Sequence, residues 1–134
     1  MLLIPPTVTR NWSMRERVRD FERLRHINEC INNVMGFLEG KTFEEMQSDV
    51  MCFHAVVYNI MIIGEAANML TKDFRLEHPE VPWRDIIDMR NVLVHGYYTV
   101  SPRFIWETYT NDLVYLKEQV EICIREMQEG NTDQ

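Results

Sequence analysis

The amino-acid sequence predicts an all-α protein, a bundle of four main helices with short helical connecting pieces, on three observations. Long stretches carry apolar residues every three or four positions, the stripe of amphipathic helices. Only five glycines and five prolines occur in 134 residues, so breakers punctuate the chain rather than pervade it. The period-two alternation of half-buried strands is poorly represented.

The elements follow in order. From about Met14 to Leu38, Val18, Phe21, Leu24, Ile27, Ile31, Val34 and Leu38 form the first stripe, and Gly40 is a natural stop. Thr42, with Glu45 three residues on, has the form of a capping box and opens a short turn holding Phe43 and Met46. Ser48 or Asp49 then caps a helix running to about Leu70, apolar nearly all the way round and so expected at the centre of the bundle. It carries one polar strip, because at about 100° per residue His54, Met61, Glu65 and Asn68 fall in a narrow arc. Asp73 to His78 is a short helix ended by Pro79, and Pro82 opens another that runs to His95 and stops at Gly96. Ser101 and Pro102 start the last helix, whose stripe is Ile105, Tyr109, Leu113, Leu116, Val120, Ile124 and Met127. The domain organisation expected is an N-terminal arm over 1–13, one helical domain over 14–128 and a frayed polar tail over 129–134.

Composition bounds the function. With 14 Lys plus Arg against 21 Asp plus Glu, the net charge of −7 argues against coating nucleic acid by bulk charge. Six of the basic residues (Arg10, Arg15, Arg17, Arg19, Arg23 and Arg25) lie in the first 28 positions, either as a solvated helix face or as a phosphate- or partner-docking surface. The three cysteines form no CxxC pair, which fits a reducing compartment. Prolines interrupt the apolar start too early for a signal peptide, and the apolar stretch around Ile60 falls short of the roughly 20 residues that span a bilayer. A cytoplasmic chain without membrane contact is the expectation.

Chemistry concentrates near residue 90. Trp83, Ile86, Ile87, Leu93 and Val94 define an apolar stripe with Arg90 in its middle. An arginine aimed at a core is costly unless it is paired or lines a cleft, so Arg90 is either an ion-paired structural residue, with Glu65 as partner, or a functional one. His95 follows about 140° round the helix, where the helix end frees its ring from the wheel direction. Tyr97 and Tyr98 occupy the exit loop.

The run RNVLVHGY, Arg90 to Tyr97, resembles the signature of HepT-like HEPN proteins. IGEAAN at Ile63–Asn68, HPEVPW at His78–Trp83, the Phe43 region and RLRHINECI at Arg23–Ile31 extend the resemblance over roughly residues 15 to 125. It implies a HEPN-like fold and the toxin of a prokaryotic type VII-like toxin–antitoxin pair, a metal-independent endoribonuclease. Arg90 and His95 would be the catalytic pair by position; on chemical grounds beside the resemblance, Asn91 can position His95 or a phosphate oxygen, and Glu65 with Asn68 either orients Arg90 or is a satisfied buried polar pair. The resemblance further implies a homodimer whose two signatures face one another, and an antitoxin of the MntA nucleotidyltransferase type that transfers AMP onto Tyr97. RNA is the implied substrate, and no cofactor is implied. Two other readings stand beside it. A metal enzyme is disfavoured, because no acidic residue stands three positions before any of the scattered His26, His54, His78 and His95. A non-catalytic helical dimer, serving as nucleotide-binding or docking platform for a nucleotidyltransferase, is the alternative.

Overall fold

The computed structural model describes the backbone over residues 6–132 and the side chains over 14–130. Among the described residues there is no strand, and the chain is a helical bundle as the apolar periodicity predicts. Its elements are α1 (Pro6–Leu38), α2 (Phe43–Ser48), α3 (Val50–Met69), α4 (Lys72–Glu77), α5 (Trp83–His95), a 3₁₀ turn (Tyr97–Thr99), α6 (Pro102–Glu107), a π-helical turn (Thr108–Asp112) and α7 (Leu113–Thr132). α3 packs between α1 and α5, and α7 packs on α1. Leu24, Ile27, Ile31 and Val34 meet Val56, Ile60, Ile63 and Ala67 in a core closed by Leu93, Ile105, Leu113 and Val120, all essentially without solvent exposure.

Sequence chemistry accounts for the boundaries. Gly40 adopts φ +73°, the left-handed conformation that ends α1 without strain. Thr42 Oγ1 accepts from the Glu45 N–H at 3.2 Å, and Asp49, rather than Ser48, caps α3 by accepting from Cys52 N–H at 3.1 Å. Thr71 caps α4 and also donates its hydroxyl to Asp20 Oδ2 at 2.7 Å, while its N–H donates to Asp20 Oδ1 at 2.9 Å. Asp20 is buried, so this pair satisfies a carboxylate that would otherwise be costly and ties α1 to the start of α4.

Four expectations are modified. α1 begins at Pro6 instead of about Met14, because proline's fixed φ suits the first helical position; the expected arm 1–13 is therefore helical from residue 6, and residues 1–5 lie outside the described part. At the other end α7 continues to Thr132, where the tail was expected to fray, since no proline interrupts its hydrogen-bond ladder. α3 has the length and apolarity to cross a membrane by composition alone, against the sequence estimate. It is not buried all round either. Half of it packs inside the bundle, but Met51 (85% exposed), Tyr58 (61%) and Met69 (51%) stay in solvent, because α1 and α5, its main packing partners, leave that face open.

The α3–α5 contact depends on Gly64. A Cβ built there would lie 2.2 Å from Arg90 Cβ and 3.0 Å from the Ile86 carbonyl oxygen, so the two backbones approach where only glycine fits. Replacing a helical glycine by alanine ordinarily stabilises; here overpacking reverses the sign. Gly64→Ala is expected to cost about 1–3 kcal/mol, read as a lowered midpoint in denaturant unfolding.

Candidate functional site

The site is built where α5 crosses α3. The loop before α5 is pinned from both sides: Trp83 Nε1 donates to the His78 carbonyl at 3.0 Å, and the Tyr115 hydroxyl donates to the Glu80 carbonyl at 2.7 Å. Trp83 is buried against Phe74, with ring centroids 6.1 Å apart. These contacts give the HPEVPW segment a physical role: they set where α5 starts, and hence the height at which Arg90 meets Gly64.

Arg90 emerges half-buried from this crossing. One terminal nitrogen lies 2.8 Å from Glu65 Oε2 on α3, and the other donates to Asn91 Oδ1 at 2.8 Å. The guanidinium is thus held between two acceptors, the ion-paired arrangement with Glu65 that its place in the apolar stripe required. It still has N–H donors left over, since five are available. Asn91 engages Arg90, not His95. Asn68 is exposed, and no hydrogen bond or ion pair joins it to Arg90.

His95 is the last residue of α5 and is exposed. Gly96 follows with its N–H on the Val92 carbonyl at 2.8 Å, and a side chain at Gly96 would come 3.1 Å from that same oxygen and 3.3 Å from Thr99 Oγ1. The chain turns sharply there into the 3₁₀ turn, closed by the Thr99 hydroxyl on the Gly96 carbonyl at 3.0 Å. Within one chain no hydrogen bond joins His95 to Arg90, in keeping with their angular separation on the helix.

The turn delivers Tyr97 back onto α3. Its hydroxyl lies 2.5 Å from Nδ1 of His54, with ring centroids 5.5 Å apart in an edge-on arrangement. Tyr98 is 98% exposed, and among the described residues its ring meets only that of Tyr97, at 5.9 Å. Sequence reasoning missed the His54 contact. The signal was the polar strip on α3, which carries Glu65 and His54 on one arc: one end meets Arg90 and the other meets Tyr97.

Other reactive groups stand apart from this strip. Burial pushes the Cys30 thiol up to about 11, with Glu29 adding to the effect, and burial with Glu126 and Glu80 does the same for Cys123. Neither is poised as a nucleophile. Burial and, secondarily, Asp85 raise the Asp112 carboxyl in the π-helical turn. Among the described residues, no group of three or more His, Cys, Asp or Glu is placed to hold a metal ion. Arg15, Arg17, Arg19 and Arg25 of the basic region are exposed along α1; Arg10 lies outside the described side chains.

An all-α bundle with Arg, His and Tyr ordered along one helix and its exit turn defines the class, and the sequence comparisons agree. Residues 27–122 match the family of HepT-like ribonucleases, so the chain belongs to that family. A protein of Caldanaerobacter subterraneus subsp. tengcongensis, named a putative RNase, is 38% identical over 72% of this chain and 87% of its own length. Another so named, from Methanocaldococcus jannaschii, is 33% identical over 74% of this chain and 91% of its own. A probable ribonuclease HepT of Thermococcus cleftensis is 35% identical over 81% of this chain and 96% of its own. No solved structure matches.

Because Arg90 and Glu65 are both partly exposed, solvent screens their attraction. Glu65→Gln is expected to change unfolding free energy by less than about 1 kcal/mol. It should nevertheless loosen the guanidinium, seen as faster exchange of the Arg90 Nη–H groups in nitrogen-15 NMR.

Proposed function

We propose that this protein is an endoribonuclease of the toxin type that cleaves RNA without a metal ion, through Arg90 and His95. The observation that carries the reading is the held guanidinium of Arg90, fixed by Glu65 and Asn91 with donors to spare, one and a half turns before an exposed His95 at the helix end. Metal-free cleavage needs only two kinds of group. The 2′-oxygen attacks the adjacent phosphorus while its proton leaves, the bond to the 5′-oxygen breaks, and a 2′,3′-cyclic phosphate forms. An imidazole exchanges the proton near neutral pH, and a fixed cation stabilises the charge that builds on the phosphorane oxygens. His95 fills the first role and Arg90 the second, with Asn91 and Glu65 orienting Arg90.

The working unit in this proposal is a homodimer. Met51, Tyr58 and Met69 fall within about 20° of one another on the α3 wheel, forming an exposed apolar stripe that runs beside His54 and Glu65. A second copy seated on this stripe would cover it. It would also bring a second Arg90 and His95 to a cleft that one chain leaves open. Regulation follows the family resemblance: an MntA-type nucleotidyltransferase antitoxin transfers AMP to Tyr97. The added phosphate and nucleotide would then repel and obstruct an RNA backbone at the same face.

A non-catalytic docking platform is the competing reading, and one experiment separates them. Purified wild type is expected to cleave total cellular RNA in EDTA and leave cyclic phosphate ends. His95→Ala and Arg90→Ala should lose at least about 100-fold while keeping the wild-type melting temperature. Cleavage that survives His95→Ala would remove His95 from the mechanism, and cleavage abolished by EDTA would remove the metal-free scheme. For the dimer, sedimentation should show two copies of wild type and one of Tyr58→Glu, since a buried charge on the stripe disfavours association.

A further inference from the structure

The Arg90 centre makes no use of the contact between His54 and Tyr97. His54 and Tyr97 come from segments 43 residues apart, and their contact is the point at which the signature turn is fastened to α3. We infer that His54 is the proton acceptor that prepares the Tyr97 hydroxyl for nucleotidyl transfer, and that it makes Tyr97 rather than Tyr98 the acceptor. This rests on the proposed modification of Tyr97.

The geometry supports the assignment at three points. First, the phenol can donate its single proton to Nδ1 of a neutral imidazole, which leaves the lone pairs of the phenolic oxygen free to face an incoming phosphorus. Second, His54 is exposed, and Nε2 makes no hydrogen bond to a described residue, so a proton taken at Nδ1 can be released to water from Nε2. Third, the neighbouring Tyr98 is almost wholly in solvent, with no hydrogen-bond acceptor on its hydroxyl among the described residues. Exposure alone would favour Tyr98; a base in contact favours Tyr97.

The step balances without a further reactant. The Tyr97 oxygen forms a bond to the α-phosphorus of ATP, and the bond from that phosphorus to the bridging oxygen of the β-phosphate breaks. Pyrophosphate leaves with the electron pair, and the phenolic proton passes to His54 Nδ1. The product is a phosphodiester beside the His54 ring, which takes up the phenolic proton during the step and then passes a proton on to water from Nε2. His54 makes no hydrogen bond to Arg90 or His95, and it lies 11 residues along α3 from Glu65, the partner of Arg90, about 16 Å of helix.

The test uses the full chain, an MntA-type nucleotidyltransferase and ATP, with initial rates of AMP incorporation followed by intact mass and the adduct mapped by peptide mass. Wild type should take AMP on Tyr97, and His54→Ala should be slowed about 100-fold at an unchanged melting temperature. Added imidazole should restore much of that rate, which a purely structural role for His54 would not allow. His54→Asn, which keeps a polar partner for the phenol but cannot take its proton, should be as slow as His54→Ala and gain nothing comparable from the anchor. An adduct on Tyr97 that forms at the wild-type rate in His54→Ala overturns the inference and leaves the modification intact. A slowed variant that imidazole does not rescue reduces His54 to an anchor and overturns it also. Wild type that carries AMP on Tyr98, or on neither tyrosine, overturns the modification reading itself.

Discussion

The close approach of α3 and α5 at Gly64 is the constraint from which the rest of the site follows. Two helices normally keep their axes 8–10 Å apart because side chains fill the gap, but at this crossing Arg90 Cβ and the Ile86 carbonyl occupy the volume that a side chain at position 64 would need. That proximity lets Glu65, the next residue on α3, reach the guanidinium. It also sets the register in which α5 lies along α3. With the crossing fixed at one end, the Gly96 turn must return the chain at the other, and it does so within reach of His54. A slip of α5 along α3 would break both polar contacts at once.

The polar groups so positioned lie at the margin of the core, not inside it. Arg90 and Glu65 are each partly solvated, which avoids the several kcal/mol that desolvating a charge pair costs in a sealed interior. It also keeps guanidinium donors available to a ligand. The bundle's own stability comes from elsewhere, from the aliphatic layers shared by α1, α3 and α7 and from the buried Asp20–Thr71 pair. Substitutions at the site therefore test chemistry more cleanly than substitutions at the crossing, where geometry and stability change together. The open apolar stripe of α3 belongs to the same arrangement, for α1 and α5 occupy two sides of that helix and no described element covers this face.

Most of the fold was legible because local rules and the global structure agree. The capping oxygens of Thr42, Asp49, Thr71 and Ser101 stand where helices begin, and Gly40 and Gly96 stand where helices end. The misjudged boundaries have a simple cause. Apolar periodicity detects the part of a helix that packs, while helices continue past that part wherever no breaker intervenes, as α1 and α7 do. The expectation of a fully buried α3 failed for a related reason: an apolar surface shows that a face can be buried, but not that a partner within the chain is present to bury it.

At the site the division is sharper. The order Arg90, His95, Tyr97 along one helix and its exit turn is a property of the sequence, as is the anomaly of a cation in an apolar stripe, because 3.6 residues per turn convert spacing directly into direction. The family to which the chain belongs was readable from the same run. Pairings between segments were legible only in part. Glu65 was the ion-pair partner expected for Arg90 and is found there, but Asn91 turned toward Arg90 instead of His95, and the contact of His54 with Tyr97 had no local signal beyond a polar strip. Those contacts depend on the relative height of two packed helices, which side-chain volume at the crossing decides and which no periodicity within either helix encodes.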